Sequence, residues 1–338
     1  MEILKNWRMD GSKIVFINAD KEYFWLMPSD YILPRPEVLK LAEHVLMRPY
    51  GIHVDVPFLH EKSNRKRTAL AFSGGVDSAA AFNLVDNSIP IFTKVDNPGG
   101  AHKLENALLA AKEFGALVVE SNQDLLPLSY GKKRGFYGAA GWTVTSILLS
   151  DYLQVDTFAD GNIIDFVYLR SENGHGTMFK EPNISNIREQ FKRIGYEYMM
   201  PCAGLSEVST TKIAKNYRYV MGCMRGVGGV PCLNCMKCYR KMALQGSPIE
   251  SNSDSEKILN KSWIPVLASL LWSRDNCGLS HPVLDKINKD YSWVDKWFPN
   301  SIEFIPEYMR NDFLEKLKKY DISTLSDLKS IYEWRADV

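Results

Sequence analysis

Six residues in the first half of the chain have the types and spacing of a phosphate-binding loop. The segment Ser73-Gly74-Gly75-Val76-Asp77-Ser78 follows the apolar run 68–72 and precedes an alanine-rich stretch, so a strand, a loop and a helix are predicted in this order. Glycines let the backbone approach a ligand, and a helix N-terminus presents unpaired N–H groups with a partial positive charge. The hydroxyls of Ser73 and Ser78 can donate to phosphate oxygens, and Asp77 can hold Mg²⁺ or orient the loop. The segment therefore predicts an anion site with an associated cation.

The same loop disfavours one large class of phosphate-binding site. It has no Gly-Lys-Ser or Gly-Lys-Thr ending, and it has no lysine that could reach the outer phosphates as in a Walker A loop. Transfer of the γ-phosphate is therefore not expected. A Gly-Gly turn that merely joins a strand to a helix is the alternative interpretation, which six suitable residues in the right context disfavour.

Four of the six cysteines lie close together in the sequence. Cys232, Cys235 and Cys238 form a Cys-x2-Cys-x2-Cys run, and Cys223 lies upstream of them beyond three glycines. Four thiolates are the ligand set of a closed, tetrahedral Zn²⁺ site, which is structural rather than catalytic. An iron–sulfur cluster is the competing interpretation, because thiolates at short spacings also hold such clusters. The other two cysteines are isolated and are interpreted as unpaired and buried.

The elements that would position these residues are indicated by the hydrophobic pattern. Short β-branched runs alternate with helical patterns between residues 68 and 162, which is typical of βαβ units. The predicted class is α/β with a doubly wound parallel sheet. Strands are predicted at 68–72, 90–95, 116–120 and 157–159, with helices at 102–114 and 142–153.

Four regions are predicted along the chain. Residues 1–65 are aromatic-rich and interrupted by prolines, as in an N-terminal subdomain or an addition to the core. The phosphate loop lies in a predicted nucleotide domain, 66–222, and the cysteines lie in a predicted zinc-binding segment, 223–245. Leu, Trp and Lys at helical spacing predict a helical C-terminal region, 246–338.

The loop resembles the Ser-Gly-Gly-x-Asp-Ser loop of the N-type, or PP-loop, ATP pyrophosphatases, which cleave ATP between the α- and β-phosphates. That superfamily has an adenine nucleotide alpha hydrolase-like fold. With the cysteine run in the same order, the chain from about Thr68 to Met242 is similar to the 7-cyano-7-deazaguanine synthase family, known as QueC. Smaller matches are Asp96, His102, Glu105, Gly161-Asn162-Ile163-Ile164-Asp165, Met200-Pro201, Ser206 and Thr211-Lys212-Ile213.

The resemblance implies a reaction and a set of residues. In the family, an ATP-activated carboxylate is attacked by ammonia to give an amide and then a nitrile, and the zinc is structural. Here it implies that ATP binds with Mg²⁺ at Ser73 to Ser78, and that Gly161 and Asn162 also bind the nucleotide. Lys212 would offset charge on the phosphates, and Asp165 would bind metal or move protons. The expected function is adenylation of a carboxylate or amide oxygen with release of pyrophosphate, followed by attack of ammonia or an amine.

One departure from the family leaves the acceptor open. The family usually has Pro-Gly-Arg-Asn where this chain has the segment 136–142, so a positive charge would come from Lys132, Lys133 or Arg134. A deazapurine, another small molecule, a tRNA and a protein all remain candidate acceptors. Two other functions stay open: sulfur transfer to a tRNA base, with Cys202 as the sulfur carrier, and an inactive nucleotide-binding or partner-binding module.

The composition sets the remaining expectations. The 41 basic and 40 acidic side chains nearly cancel, so binding to nucleic acid is not indicated. The basic group at 62–67 is interpreted as a solvated linker. The longest uncharged run, 135–150, is shorter than the roughly 20 apolar residues of a membrane span, so no membrane segment is expected. A cytoplasmic location is expected, since the first residues lack the pattern of a secretory signal. A homodimer is left open.

Overall fold

A computed structural model gives the fold of most of the chain. The described residues are 5–59, 66–96, 104–136, 138, 140–169, 182–220, 223, 225–260, 266–327, 329, 331 and 334. They form an α/β structure around one eight-stranded mixed sheet. The α/β class predicted from the sequence is confirmed.

The sheet has a parallel part and an antiparallel part. The strands are β1 Trp7–Asp10, β2 Lys13–Asn18, β3 Lys21–Leu26, β4 Thr68–Ala71, β5 Ser88–Val95, β6 Leu117–Ser121, β7 Thr157–Ala159 and β8 Glu197–Met199, in the order β1-β2-β3-β6-β5-β4-β7-β8. All neighbours from β6 to β8 pair in parallel, whereas β2 pairs antiparallel with both β1 and β3, and β3 pairs antiparallel with β6. The four strands predicted from the sequence are confirmed with their ends shifted by up to two residues.

The parallel strands change direction of progression at β4. From β4 the chain moves outwards through β5 to β6, and it then returns to the other side of β4 for β7 and β8. At such a switch point, the crevice outside the carboxyl ends of two neighbouring strands is the usual place for a ligand in an open α/β sheet. The loop that begins at Ser73 follows β4 directly.

The N-terminal strands extend this sheet instead of forming a sheet of their own. Trp25 and Leu26 of β3 pair with Ser121 and Glu120 of β6. Trp25 is fully buried, and its indole N–H donates to Gln123 Oε1 at 2.7 Å. The parallel sheet predicted from the sequence is therefore corrected to a mixed sheet, because the three-stranded antiparallel segment β1–β3 covers the edge that β6 would otherwise expose.

The described residues also contain thirteen α-helices. Their bounds are α1 Pro36–Met47, α2 Val76–Leu84, α3 Leu104–Glu113, α4 Val144–Leu148, α5 Ser150–Leu153, α6 Ile164–Val167, α7 Pro182–Arg193, α8 Glu207–Ala214, α9 Met236–Leu244, α10 Ser253–Leu259, α11 Val266–Cys277, α12 Pro282–Asp285 and α13 Arg310–Lys319. The helix predicted at 142–153 is instead a 3₁₀ turn, Gly141–Thr143, followed by α4 and α5, and the described part of the C-terminal region is helical as predicted.

The core is built from these two kinds of element. A large cluster joins β2, β3, α1 and α4 to α9 and α11, and a second cluster packs β4 and α2 against α8 and α13. The phosphate-loop helix α2 is thus held between the sheet and the helices α8 and α13.

Among the described residues, no helix combines the length and the apolar character that crossing a membrane requires.

Candidate functional site

The phosphate loop, defined here as residues 73–78, turns sharply from β4 into α2. The first bond of the helix type runs from the Ala79 N–H to the Gly75 carbonyl at 3.0 Å, so the N–H groups of Val76, Asp77 and Ser78 lie ahead of the intrahelical ladder. Gly75 caps the helix without a side-chain hydrogen bond. The first turn of α2 therefore presents N–H groups that an anion can accept from.

Hydroxyls brace the loop from within. Ser78 Oγ donates to the Gly75 carbonyl at 2.9 Å and lies 3.3 Å from Ser73 Oγ. Ser73 is exposed, whereas Ser78 is buried. Ser73 is therefore the hydroxyl that is accessible to a bound phosphate, and Ser78 mainly shapes the loop.

Two glycines allow close approach of backbone to the loop. Gly74 has φ +75°, and a Cβ there would lie 3.1 Å from Ala107 Cα in α3. A Cβ on Gly161 would lie 2.8 Å from the carbonyl carbon of Asp77 and from the N of Ser78. The segment after β7 thus packs directly on the first turn of α2, and Asn162 follows it with its N–H donated to Asp160 Oδ1 at 3.1 Å.

Asp77 of α2 faces a group of charged side chains contributed by three other helices. Thr210 of α8 donates its hydroxyl to Asp77 Oδ1 at 2.8 Å. Asp165 of α6 and Glu207 of α8 lie within electrostatic range of Asp77. The basic side is supplied by α9. We call this set the charge cluster: Asp77, Asp165, Glu207, Lys237, Arg240 and Lys241.

The pKa values of the acidic members reflect burial in a charged neighbourhood. Burial raises the pKa of Asp77, and the charge of Glu207 adds to this, against the Thr210 hydrogen bond and the α9 cations. Burial raises the pKa of Asp165 to about 7, with Arg240 opposing and Glu207 and Asp77 reinforcing the shift. Asp165 is therefore able to gain or lose a proton near neutral pH.

The basic members of the charge cluster respond in the opposite direction. Burial lowers the pKa of Lys241 to about 8, although Glu207 and Asp77 hold it up. Burial also lowers the pKa of Lys237. Arg240 forms an ion pair with Glu207. Three cations thus lie beside the carboxylates at the N-terminal end of α2.

The site brings together only part of the residues expected from the sequence. The loop, Gly161 and Asn162 are adjacent, and Asp165 lies in electrostatic range of Asp77. The ammonium of Lys212 instead lies over the ring of Trp272 in α11, 5.8 Å from its centroid. Its predicted role at the phosphates remains a prediction. His102 lies outside the described residues.

Sequence reasoning missed the α9 cations and Glu207. A signal was present, because Lys237, Arg240 and Lys241 occur within and directly after the cysteine run. Nothing local in the sequence shows that this helix crosses the start of α8. Only the ion pair of Arg240 with Glu207 and the packing of α9 on α8 and α11 reveal it.

The four cysteines converge as a metal site would require. Their Sγ atoms all lie within 4.8 Å of one another, and Cys232 and Cys238 are separated by 3.9 Å. A tetrahedral Zn–S site with bonds of about 2.3 Å places its sulfurs about 3.8 Å apart. The structure therefore contains a four-cysteine cluster that could bind a metal such as zinc, with three of the four cysteines buried.

Backbone N–H groups point at the sulfurs of this cluster. Cys223 Sγ accepts from Gly226 at 3.0 Å and from Cys232 at 3.3 Å. Burial raises the pKa of Cys223, but hydrogen bonds from the backbone of Cys232, Arg225 and Gly226 and from the Cys238 thiol outweigh it and bring the value to about 6. Such bonds stabilise a thiolate, the form that binds metal.

The cysteine segment is attached to α3 as well as to α8. Asn106 Nδ2 donates to the Gly226 carbonyl at 2.9 Å, and the Gly229 N–H donates to Asn106 Oδ1 at 2.9 Å. Glu105 accepts from the Gly228 N–H at 3.1 Å. Because Gly74 packs on the same helix α3, the cysteine segment and the phosphate loop share a support.

The cations proposed to replace the family's Arg-Asn pair have different environments. Lys132 and Lys133 are exposed. Arg134 Nε donates to the fully buried Asp124 at 2.5 Å, and Asp124 Oδ1 has no hydrogen-bond partner among the described residues. Burial raises the pKa of Asp124, and Arg134 opposes the shift. The charge of Arg134 is thus offset within the protein.

Replacing Arg134 with Met is expected to destabilise the fold by about 3 kcal/mol, because it leaves the Asp124 carboxylate buried without a countercharge. Lys133→Met removes the same charge one position earlier from an exposed side chain, and it should change stability by less than about 0.5 kcal/mol. Urea unfolding of both variants gives the comparison. Equal stability of the two variants would show that Asp124 does not depend on Arg134.

One part of this site lies in a segment that matches a known protein family. A family of unknown function, DUF6395, matches residues 186–276. The match includes α8, the cysteines and α9, but it does not include the phosphate loop. A search of curated proteins finds no match.

Proposed function

We propose that this chain is an ATP pyrophosphatase that adenylates a carboxylate or amide oxygen and passes the activated carbon to ammonia or an amine. The observation that carries the proposal is the position of the phosphate loop. It follows β4 at the carboxyl edge, where the order of the parallel strands reverses, and it leads into α2 with N–H groups ahead of the helical ladder. This arrangement supports a doubly wound nucleotide-binding sheet.

The residues present suit ATP with Mg²⁺. Mg²⁺ is usually held by one or two carboxylates together with phosphate oxygens, and Asp77 lies at the start of the loop helix. When bound, Mg²⁺ would offset phosphate charge and act as a Lewis acid. Among the described residues, no group of three or more potential metal ligands converges apart from the four cysteines. The phosphates of ATP would therefore supply ligands to Mg²⁺ in addition to Asp77.

The chain's own groups can then serve the reaction. The first-turn N–H groups of α2 bind the β- and γ-phosphates and the departing pyrophosphate. The acceptor oxygen attacks the α-phosphorus, the bond to the β-phosphate oxygen breaks, and the acyl or imidoyl adenylate forms. A nitrogen nucleophile attacks the adenylated carbon, AMP leaves, and the nucleophile gives up a proton. Asp165, with its pKa of about 7, would take up that proton.

The cysteine cluster fits the structural zinc site of the proposed enzyme class. Its sulfurs have the spacing of a closed tetrahedral site, and backbone N–H groups bind them. We assign Zn²⁺ to it in preference to an iron–sulfur cluster, because the resemblance of the chain to the 7-cyano-7-deazaguanine synthase family extends to the order of the loop and the cysteines.

Sulfur transfer is less well supported by the site. Cys202, the candidate carrier, is fully buried, and its thiol contacts the Asp77 carbonyl at 3.5 Å. Burial raises the pKa of Cys202 well above its ordinary value, with Asp77 and Asp160 adding to the shift. A protonated, enclosed thiol is a poor nucleophile. Nitrogen is therefore the proposed donor element.

The products of ATP turnover test the proposal. We expect ATP labelled on its α-phosphate to give AMP when it is incubated with the protein, Mg²⁺, ammonium and a small-molecule cell extract, because the loop lacks the lysine of a γ-phosphate transferase. Chromatography of the nucleotides separates AMP from ADP. Formation of ADP, or of neither product with every extract fraction, would contradict the proposal.

The same assay distinguishes the two donors. Isotope-labelled ammonia should enter the product, and Cys202→Ser should form AMP at the rate of the unaltered protein. Loss of AMP formation in Cys202→Ser, with a fold that melts normally, would favour sulfur transfer instead.

A further inference from the structure

One buried cation of the charge cluster lacks a partner. Lys241 Nζ is enclosed and has no hydrogen-bond partner among the described residues. The buried Nε of its chain neighbour Arg240 is also unpartnered among the described residues. A buried donor without an acceptor costs roughly 1–3 kcal/mol, and more when it is charged. Two such donors on adjacent residues of α9 favour an anionic ligand that satisfies them.

The nearby carboxylates are already engaged. Arg240 pairs with Glu207, and Thr210 donates to Asp77. Lys241 senses the charges of both carboxylates, but it forms no ion pair within 4.0 Å among the described residues. Neither carboxylate is therefore a direct ion-pair partner of the Lys241 ammonium.

The location of Lys241 indicates which class of ligand could satisfy it. Asp77 is the second residue of α2, so a cation that acts on Asp77 also acts on whatever lies at the start of that helix. An anion is favoured there by the first-turn N–H groups. A phosphate chain would satisfy both the N–H groups and the buried cations.

We propose that Lys241, assisted by Arg240, is the cationic anchor for the pyrophosphate part of ATP. This inference rests on the proposed function, and it assigns to α9 the role that the family resemblance implied for Lys212. Unlike the lysine of a Walker A loop, Lys241 comes from a helix far along the chain, and in this proposal it holds the pyrophosphate that leaves rather than a γ-phosphate that is transferred.

The cysteine cluster explains how α9 is held for this role. Cys235 is the N-cap of α9, and its Sγ accepts from the Cys238 N–H at 3.5 Å. Lys241 follows Cys238 by three positions, which is nearly one helical turn. A metal that fixes Cys235 and Cys238 therefore fixes the start of the helix that carries Lys241.

Calorimetric binding of two probes in the presence of Mg²⁺ tests the anchor. The probes are inorganic pyrophosphate and α,β-methylene-ATP, which resists cleavage between the α- and β-phosphates. Lys241→Met is expected to weaken both by at least about tenfold, the effect of losing one charge-assisted contact. Lys241→Arg should recover part of the affinity. Lys215→Met, which removes an exposed lysine just after α8, should bind both probes like the unaltered protein.

Each outcome separates the anchor from the function itself. Equal affinity of Lys241→Met and the unaltered protein would overturn the anchor and leave ATP binding intact. Failure of the unaltered protein to bind either probe would overturn both. Lys241→Met should keep its metal and its melting temperature, because Met fills the same space without a charge that needs a partner. A variant that loses metal, melts early and is not rescued by Arg would show that Lys241 supports the fold rather than a ligand.

Discussion

Asp77→Asn is expected to lower the rate of AMP formation by about a hundredfold to a thousandfold, the range observed when a charge-stabilising group is lost from an active site. The carboxylate lies at the N-terminal turn of α2, where it would repel a triphosphate unless a divalent cation lies between them. Asn keeps the shape and an oxygen that can accept from Thr210, but it removes the charge that a cation needs. Initial rates with saturating ATP and Mg²⁺ measure the effect.

Stability should move in the other direction for this variant. Because the pKa of Asp77 is raised in the folded state, its ionised form opposes folding, and this loss of stability develops as the pH rises from the ordinary pKa through the raised one. Asn has no such cost, so the melting temperature of Asp77→Asn should equal or exceed that of the unaltered protein, with a difference that grows with pH. Such a gain of stability with loss of activity is typical of a functional carboxylate.

A matched carboxylate at the other end of the helix provides the control. Asp86 follows the end of α2, is exposed and pairs with Lys316. Asp86→Asn should form AMP at a normal rate and change stability by less than about 0.5 kcal/mol. If Asp77→Asn formed AMP as fast as Asp86→Asn, the phosphate loop would not be the site of the reaction.

Loss of the metal is expected to be the most damaging change to the structure. Cys235→Ser removes a buried thiol that also caps α9, so with the proposed zinc site the bound zinc should fall from about one per chain to none. Structural zinc sites contribute about 10 to 16 kcal/mol of apparent binding free energy in small domains. In this larger chain we expect a fall in melting temperature of at least about 5 °C. Metal analysis and thermal unfolding measure the two effects.

Cys277→Ser is the control for this variant. Cys277 lies outside the cluster, with its thiol directed at the Leu244 carbonyl at 3.6 Å. It should keep a full complement of metal. A strong chelator should reproduce the effect of Cys235→Ser on the unaltered protein, and added Zn²⁺ should reverse it. Visible absorption and iron in the purified protein would instead indicate an iron–sulfur cluster, and a Cys235→Ser protein with normal metal content would exclude the cluster as a metal site.

The effects of Cys235→Ser and of Lys241→Met are connected through α9, which carries both residues at or near its start and end. If the metal orients this helix, the metal-free protein should bind pyrophosphate as weakly as Lys241→Met does. The prediction follows from the short distance along the helix between Cys238 and Lys241. The cysteine segment would then contribute to catalysis only by holding α9, and with it Lys241, in position.

The features that could be predicted from the sequence are those encoded by neighbours along the chain. A strand, a glycine turn and a helix succeed one another from Thr68 to Leu84, and each depends on residues within one or two turns of itself. The cysteine cluster is similar, since three of its ligands lie within seven residues. The α/β class followed from the same local alternation.

Other features depend on contacts between distant parts of the chain. The hydrophobic pattern of β1 to β3 could not show that β3 pairs with β6, because an apolar strand can pair with the edge of any sheet. Arg134 could be read as a free cation until Asp124 was found beside it. Gly161 could be read as part of a ligand loop, whereas the structure shows that it also makes room for α2.

By itself, the sequence determined which groups are available for chemistry: a loop able to hold an anion and four thiolates able to hold a metal. The tertiary structure alone decided which charges meet at that loop. Thr210 reaches Asp77 across 133 positions of the chain, and Arg240 and Lys241 reach the same place from a helix fixed by cysteines. Electrostatic energy depends on distance in space and on burial, and neither quantity is written in the order of the residues.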